Sequence, residues 1–79
     1  SYKEAGIMIQ ELDSVVLTVD LPEHGLEVGD VGTVVLCHDT EGYEVEFMTL
    51  TGETVAVVSL PTGQLRSIAP REIAHVRAI

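Results

Sequence analysis

Residues 21–36, LPEHGLEVGDVGTVVL, bring a proline turn, three spaced glycines and an aliphatic run into one stretch. Pro22 fixes φ and stops an extended segment arriving from the amino side, and Gly25 permits a positive-φ turn that a β-carbon resists. The chain must reverse here. Gly29-Asp30 forms a second tight turn, with Asp30 read as a turn residue that hydrogen-bonds its own backbone. Val31 to Leu36 is then a β-branched run suited to a pleated, mostly buried surface. Gly32 inside that run signals a bulge or a close backbone approach.

Upstream, Asp13 to Asp20 reads as a first strand, with Val15, Leu17 and Val19 on one face and Ser14, Val16 and Thr18 on the other. Ser1 to Leu12 reads as a tail or lid, because Gly6 interrupts the short helix that Ile7, Met8 and Leu12 would otherwise suggest. Downstream of the second strand, Val31 to Cys37, comes a loop from His38 to Gly42. Tyr43 to Phe47 follows and alternates strictly, with Tyr43, Val45 and Phe47 inward and Glu44 and Glu46 outward. A two-residue hairpin loop at Thr51-Gly52 sets Phe47 opposite Ala56 and Val45 opposite Val58 on the returning strand, Glu53 to Leu60. A slip of one residue would turn Val55 and Val57 inward instead. Pro61 to Gln64 is a turn or one turn of 3₁₀ helix, and Leu65 to Ile68 is a very short fifth strand. After the break at Pro70 to Glu72, Ile73 to Ile79 reads as a strand in preference to a two-turn helix.

Five or six short strands with turn signals every eight to twelve residues predict an all-β fold, a small SH3-like antiparallel barrel over residues 13–79. Closure would remove the free edges that a chain rich in Val and Ile must avoid. The expected core is Val15, Leu17, Leu26, Val34, Leu36, Val45, Phe47, Ala56, Val58, Leu60, Leu65 and Ile68.

The chain has 79 residues, enough for one small domain of thin net stability. Its single cysteine, Cys37, rules out an intrachain disulfide and a zinc site with two cysteine ligands. That usage fits a reducing compartment. No apolar run approaches the ~20 residues of a membrane span, and Ser1 to Gln10 lacks the pattern of a signal peptide. The expectation is a soluble, cytoplasmic protein, with processing upstream of Ser1 left open.

Four Lys and Arg stand against thirteen Asp and Glu, a formal net charge of −9. A phosphate backbone is repelled by most of such a surface, so nucleic acid is not an expected partner; the acidic surface reads first as a source of solubility and, as the alternative, as a face for a basic protein. Arg66, Arg71 and Arg77 gather the positive charge near the carboxyl end.

The combination of LPEHGL, GDVGTVV, YEVEF, a TLTGET hairpin, a VSLP turn and QLR, from about Asp13 to Arg77, resembles a family of small bacterial proteins, frequent in cyanobacteria, classed as a domain of unknown function. The resemblance implies no activity. GDVGTVV is also similar to the turn and strand of KOW-type SH3-like barrels. That similarity supports the barrel, but the acidic balance departs from the basic surfaces by which those domains bind RNA, and the RNA role is not carried over.

The residues that bear chemistry form no recognised catalytic set. Cys37 and His38 are adjacent on a strand and point to opposite faces, so they make no nucleophile–base pair, and Cys37 is read as a buried structural thiol. His24, His38 and His75 lack metal-ligand spacing, and Asp39, Glu41 and Glu44 around Gly42 do not match a calcium loop. No cofactor or metal is expected. Two functional classes remain. The first is a non-enzymatic interaction module, an acidic barrel docking on another protein, such as the inhibitory or antitoxin-like member of a pair; its candidate surface is His24, Glu44, Glu46 and His75. The second is a small enzyme or a ligand- or metal-binding protein whose site forms at an oligomer interface, in a cleft lined by His24, Glu44 and His75. Self-association as a dimer is expected, because Ile7, Met8, Ile9, Val16, Met48, Val55, Val57, Val76 and Ile79 exceed what one small interior holds.

Overall fold

The structure is a computed structural model that describes residues 9–38 and 41–79. Five strands, β1 (Ser14–Leu17), β2 (Val31–His38), β3 (Gly42–Met48), β4 (Thr54–Leu60) and β5 (Leu65–Ser67), form one antiparallel sheet in the order β4-β3-β2-β1-β5. The fold is all-β. Single 3₁₀ turns at Pro22–His24 and Thr62–Gln64 complete the regular structure among the described residues.

The stretch 21–36 behaves as its residues dictate. Leu21 and Leu26 exchange backbone hydrogen bonds of 2.9 and 3.1 Å across the 3₁₀ turn, and Gly25 closes it in the left-handed region at φ 71°. Both leucines are buried, so the turn is pinned to the core by its own two apolar ends. The Asp30 side chain accepts the Glu27 N–H at 2.9 Å, the turn role its position implied. The Gly29 N–H reaches the Leu17 carbonyl at 2.8 Å, tying the second turn to the end of β1. A Cβ on Gly25 would meet nothing within 4 Å, so only its dihedral resists substitution. Gly25→Ala is therefore expected to cost about 1 kcal/mol, read from the urea midpoint; an unchanged midpoint would show that the turn relaxes to ordinary dihedrals.

Val45 stands opposite Val58 and Phe47 opposite Ala56, the expected pairs, but the two-residue loop is corrected: the register shifts at Val55, Met48 pairs with Thr54, and the Thr49 N–H reaches the Glu53 carbonyl at 2.8 Å, so the loop runs from Leu50 to Gly52. Val15, Leu17, Val34, Val45, Phe47, Val58, Leu60 and Leu65 join Leu21 and Leu26 in the buried cluster, with Ala56 half-buried against it. Three further expectations are corrected. Leu36 is 46% exposed, because a bulge at Val35 lets Val34 pair with Val45 and Leu36 with Glu44, and the strand changes face. Ile68, just beyond β5, is 45% exposed. Val16, assigned outward, is only 6% exposed, since β1 is flanked on both sides and Val16 lies between Val31 and Arg66.

Ile73 to Ile79 forms no strand. The chain turns at Pro70 and Arg71, the latter at φ 67°, and then runs back to the 21–36 loop, held by side chains rather than by a backbone ladder. Of the tail or lid expected over residues 1–12, residues 1–8 lie outside the described residues; Ile9 packs against the core and the Leu12 N–H donates to the Val34 carbonyl at 2.7 Å.

Candidate functional site

Strict alternation along β3 puts Glu44 and Glu46 on the same outward face, and the Val35 bulge turns Leu36 onto it beside Glu44. Val57 stands opposite Glu46, and Leu36 and Val57 are both exposed. The result is a small surface with two carboxylates flanked by two aliphatic side chains. Each carboxylate is held in place. The Thr54 hydroxyl bonds Glu46 at 2.6 Å. The Ser59 hydroxyl donates to Glu44 Oε2, and His38 Nε2 lies 2.8 Å from the same oxygen. The Ser59 hydrogen bond and then His38 hold the Glu44 carboxyl below its usual range, so it keeps its negative charge.

Ser59, Glu44 and His38 contain the residue types of a hydrolytic triad in a different order. In a triad the imidazole lies between hydroxyl and carboxylate and takes the hydroxyl proton. Here the carboxylate lies between the other two, so the hydroxyl proton is directed at a weak base that is already ionised. The arrangement fixes a charge rather than activating a nucleophile. A hollow of about 280 Å³ beside it is lined by His38, Glu41, Gly42, Tyr43, Ser59, Leu60 and Pro61.

Cys37 is a free, half-buried thiol that packs against the core on the face opposite His38, as their adjacency required. His24 ends the first 3₁₀ turn, its N–H donating to the Leu21 carbonyl at 2.9 Å, and His75 is exposed in the carboxy-terminal segment. Neither is among the hydrogen-bond partners of Glu44, which are Ser59 and His38. Within one chain the groups bonded to one another are Glu44 with Ser59 and His38, and a separate set at the 21–36 loop. Among the described residues no group of three His, Cys, Asp or Glu side chains is placed to hold a metal ion. Asp39, part of the calcium-loop comparison, lies outside the described residues. No helix among them is long and apolar enough to cross a membrane.

The second region is built around Arg77, whose role sequence reasoning missed. Its Nε donates to Asp30 Oδ1 at 2.8 Å and its Nη2 to Asp30 Oδ2 at 2.6 Å, a two-pronged pair. Nη2 also reaches the Gly25 carbonyl at 3.0 Å, and Nη1 lies 3.3 Å from Glu27 Oε2. The Arg77 guanidinium, and to a lesser degree the Glu27 N–H, lower the Asp30 carboxyl against the opposing effect of burial. The one available signal was the segregation of arginine at the carboxyl end of a chain whose main loop carries Glu27 and Asp30.

A second arginine pair stands at the base of the same segment. Arg66 binds Glu72 through bonds of 2.9 and 2.7 Å, and the Ala69 N–H reaches Glu72 Oε1 at 2.6 Å. Arg66 and then the Ala69 N–H lower the Glu72 carboxyl to about 2, from the 4.5 of an ordinary glutamate. Its stabilising contribution is therefore complete above 4.5 and is lost as pH falls toward 2. Glu72→Gln is expected to lower Tm by a small amount above pH 4.5, where the exposed pair contributes, and to converge on the native chain as pH falls toward 2, which flattens Tm against pH across that acid window. A Tm profile that keeps its full acid slope in the variant would place the titration elsewhere.

A family model described as a domain of unknown function (DUF4926) matches residues 11–67, well over half of the chain. No curated protein and no solved structure matches it.

Proposed function

This chain belongs to the DUF4926 family of domains of unknown function, and from its own surface we propose that it is a non-enzymatic protein-interaction module, an SH3-like barrel that docks a basic partner on the outer face of β2, β3 and β4. The carrying observation is the placement of Glu44 and Glu46 side by side with exposed Leu36 and Val57. A face of this kind suits a partner segment that alternates cationic and aliphatic side chains. Charge would steer the encounter and the aliphatic contacts would supply desolvation. The central carboxylate between Ser59 and His38 supports binding over catalysis, since it keeps its charge ready for a cation. The net charge of −9 adds a long-range attraction for basic proteins and opposes nucleic acid.

The test is an NMR titration of the labelled chain with a synthetic peptide of alternating arginine and leucine, with duplex DNA and RNA as further arms. Shifts confined to the amides around Leu36, Glu44, Glu46 and Val57, weakening with salt and abolished in Glu44→Gln/Glu46→Lys, are expected. Peptide shifts that map elsewhere or survive the double substitution, or binding of either nucleic acid at physiological salt, would sink the reading.

A further inference from the structure

We propose that the basic partner joins the sheet as an added strand along the free edge of β4, its cationic side chains crossing Val57 and Ser59 to reach Glu46 and Glu44; this rests on the docking face described above and assigns its mode of binding. β4 and β5 are the two ends of the sheet and do not pair with each other. The two edges are not alike. β5 has only three residues, and Arg66 at its centre carries a charge held by Glu72, two features that discourage further pairing. β4 has seven residues, TVAVVSL, with no charge and no proline. The bulge at Val55 disturbs its first part and leaves Ala56 to Leu60 as a regular stretch. Among the described residues, no backbone hydrogen bond outside the ladder to β3 involves these five. Alternate residues of such an edge turn their N–H and C=O groups away from the sheet, and these are the groups an extended segment pairs with when it adds a strand.

The strand behind the edge decides what fits it. Glu44 and Glu46 belong to β3, yet both carboxylates are drawn toward the edge by hydroxyls of β4: Ser59 donates to Glu44, and Thr54 donates to Glu46 at 2.6 Å. The two glutamates stand opposite Ser59 and Val57, two residues apart on one face. A strand laid beside β4, roughly 4.8 Å beyond it, presents its own residues two apart on that same face. Cationic side chains there meet the carboxylates across the small Ser59 and the exposed Val57, and no charge on β4 repels them. The residues between them turn to the opposite face, beside Ala56, which is half-buried against the core. A segment of alternating cationic and aliphatic residues thus suits the edge as well as the face. A second copy of β4 has no cation and leaves both carboxylates unmatched, so the basic segment is the fitting occupant.

The test uses the labelled chain and the alternating arginine and leucine peptide in three forms: unmodified, N-methylated at the arginines, and N-methylated at the leucines. One methylated form loses the N–H groups that face β4, whereas the other loses only those that face solvent. The first is expected to bind at least about tenfold more weakly than the unmodified peptide, and the second to bind like it. Amide hydrogen exchange at alternate residues from Ala56 to Leu60 is expected to slow at least about tenfold when the unmodified peptide is added. Two methylated forms that behave alike, or β4 amides whose exchange the bound peptide leaves unchanged, would overturn strand addition while leaving the face as the binding site. Exchange in β4 that slows with protein concentration in the absence of peptide would assign the edge to a second copy and overturn it as well. A peptide that binds in none of its forms removes the docking reading itself, and strand addition with it.

Discussion

Gly42→Ala is expected to destabilise the chain by about 3 kcal/mol, the sum of a positive-φ strain of roughly 1 kcal/mol or more and an overpacking cost of roughly 1–3 kcal/mol. Gly42 opens β3 at φ 147°, a conformation side chains rarely adopt. A Cβ there would press on the Leu60 carbonyl oxygen, with the Leu60 carbonyl carbon and Pro61 Cα both at 3.0 Å. All of these are backbone atoms at the end of β4, so no rotamer change relieves the contact. The ladder that would have to move includes Tyr43 opposite Leu60 and Glu44 opposite Ser59. For a domain this small the corresponding fall in Tm is roughly 12–24 °C, and thermal and urea unfolding both measure it. A loss under about 1 kcal/mol would mean that the β3–β4 ladder separates cheaply at this end, contrary to its geometry.

Gly32→Ala is expected to cost about 2 kcal/mol, for a different reason. Its φ lies outside the left-handed region, and the obstacle is the neighbouring strand: an added Cβ would stand 2.6 Å from Val45 Cγ1, 2.9 Å from Phe47 Cε1 and 3.0 Å from the Glu46 carbonyl oxygen. Val45 and Phe47 are buried, so neither can swing into solvent to make room. Phe47→Leu removes the ring atom in the way, so the double variant Gly32→Ala/Phe47→Leu is expected to be more stable than the separate losses predict. Strictly additive losses in a double-mutant cycle would show that the ring is not what the new methyl meets.

Much of this architecture was legible because period-two alternation and turn chemistry are local signals. Tyr43 to Phe47 announces its inward face, and Gly32 marks the close approach that Val45 and Phe47 explain, whereas the register at the hairpin tip departs from a two-residue Thr51-Gly52 loop through the shift at Val55. The signal failed where a tertiary contact overrode the local pattern. Ile73 to Ile79 has the composition of a strand, yet the pairing of Arg77 with Asp30, forty-seven residues away, decides its course. From the sequence Leu36 reads as inward, because nothing in an aliphatic run shows which residue is left unpaired. For the functional face, the outward carboxylates Glu44 and Glu46 were readable from alternation alone. Their setting was not, since it depends on Ser59 and Thr54 arriving from the next strand and on Leu36 changing sides.

The unpaired Val35 gives β2 two numbering phases. Up to Val34 the inward positions carry even numbers, Gly32 and Val34; from Cys37 onward they carry odd ones. A chain one residue shorter, lacking Val35, would run through in a single phase and keep Val34 beside Val45, Leu36 beside Glu44 and Cys37 beside Tyr43. Removal of a residue from the Gly32–Val34 run would instead carry small or polar groups into the interior and aliphatic ones into water. Val35 is thus the point of slack in an otherwise phase-locked strand, where chain length can change by one while Glu44 keeps the same neighbours.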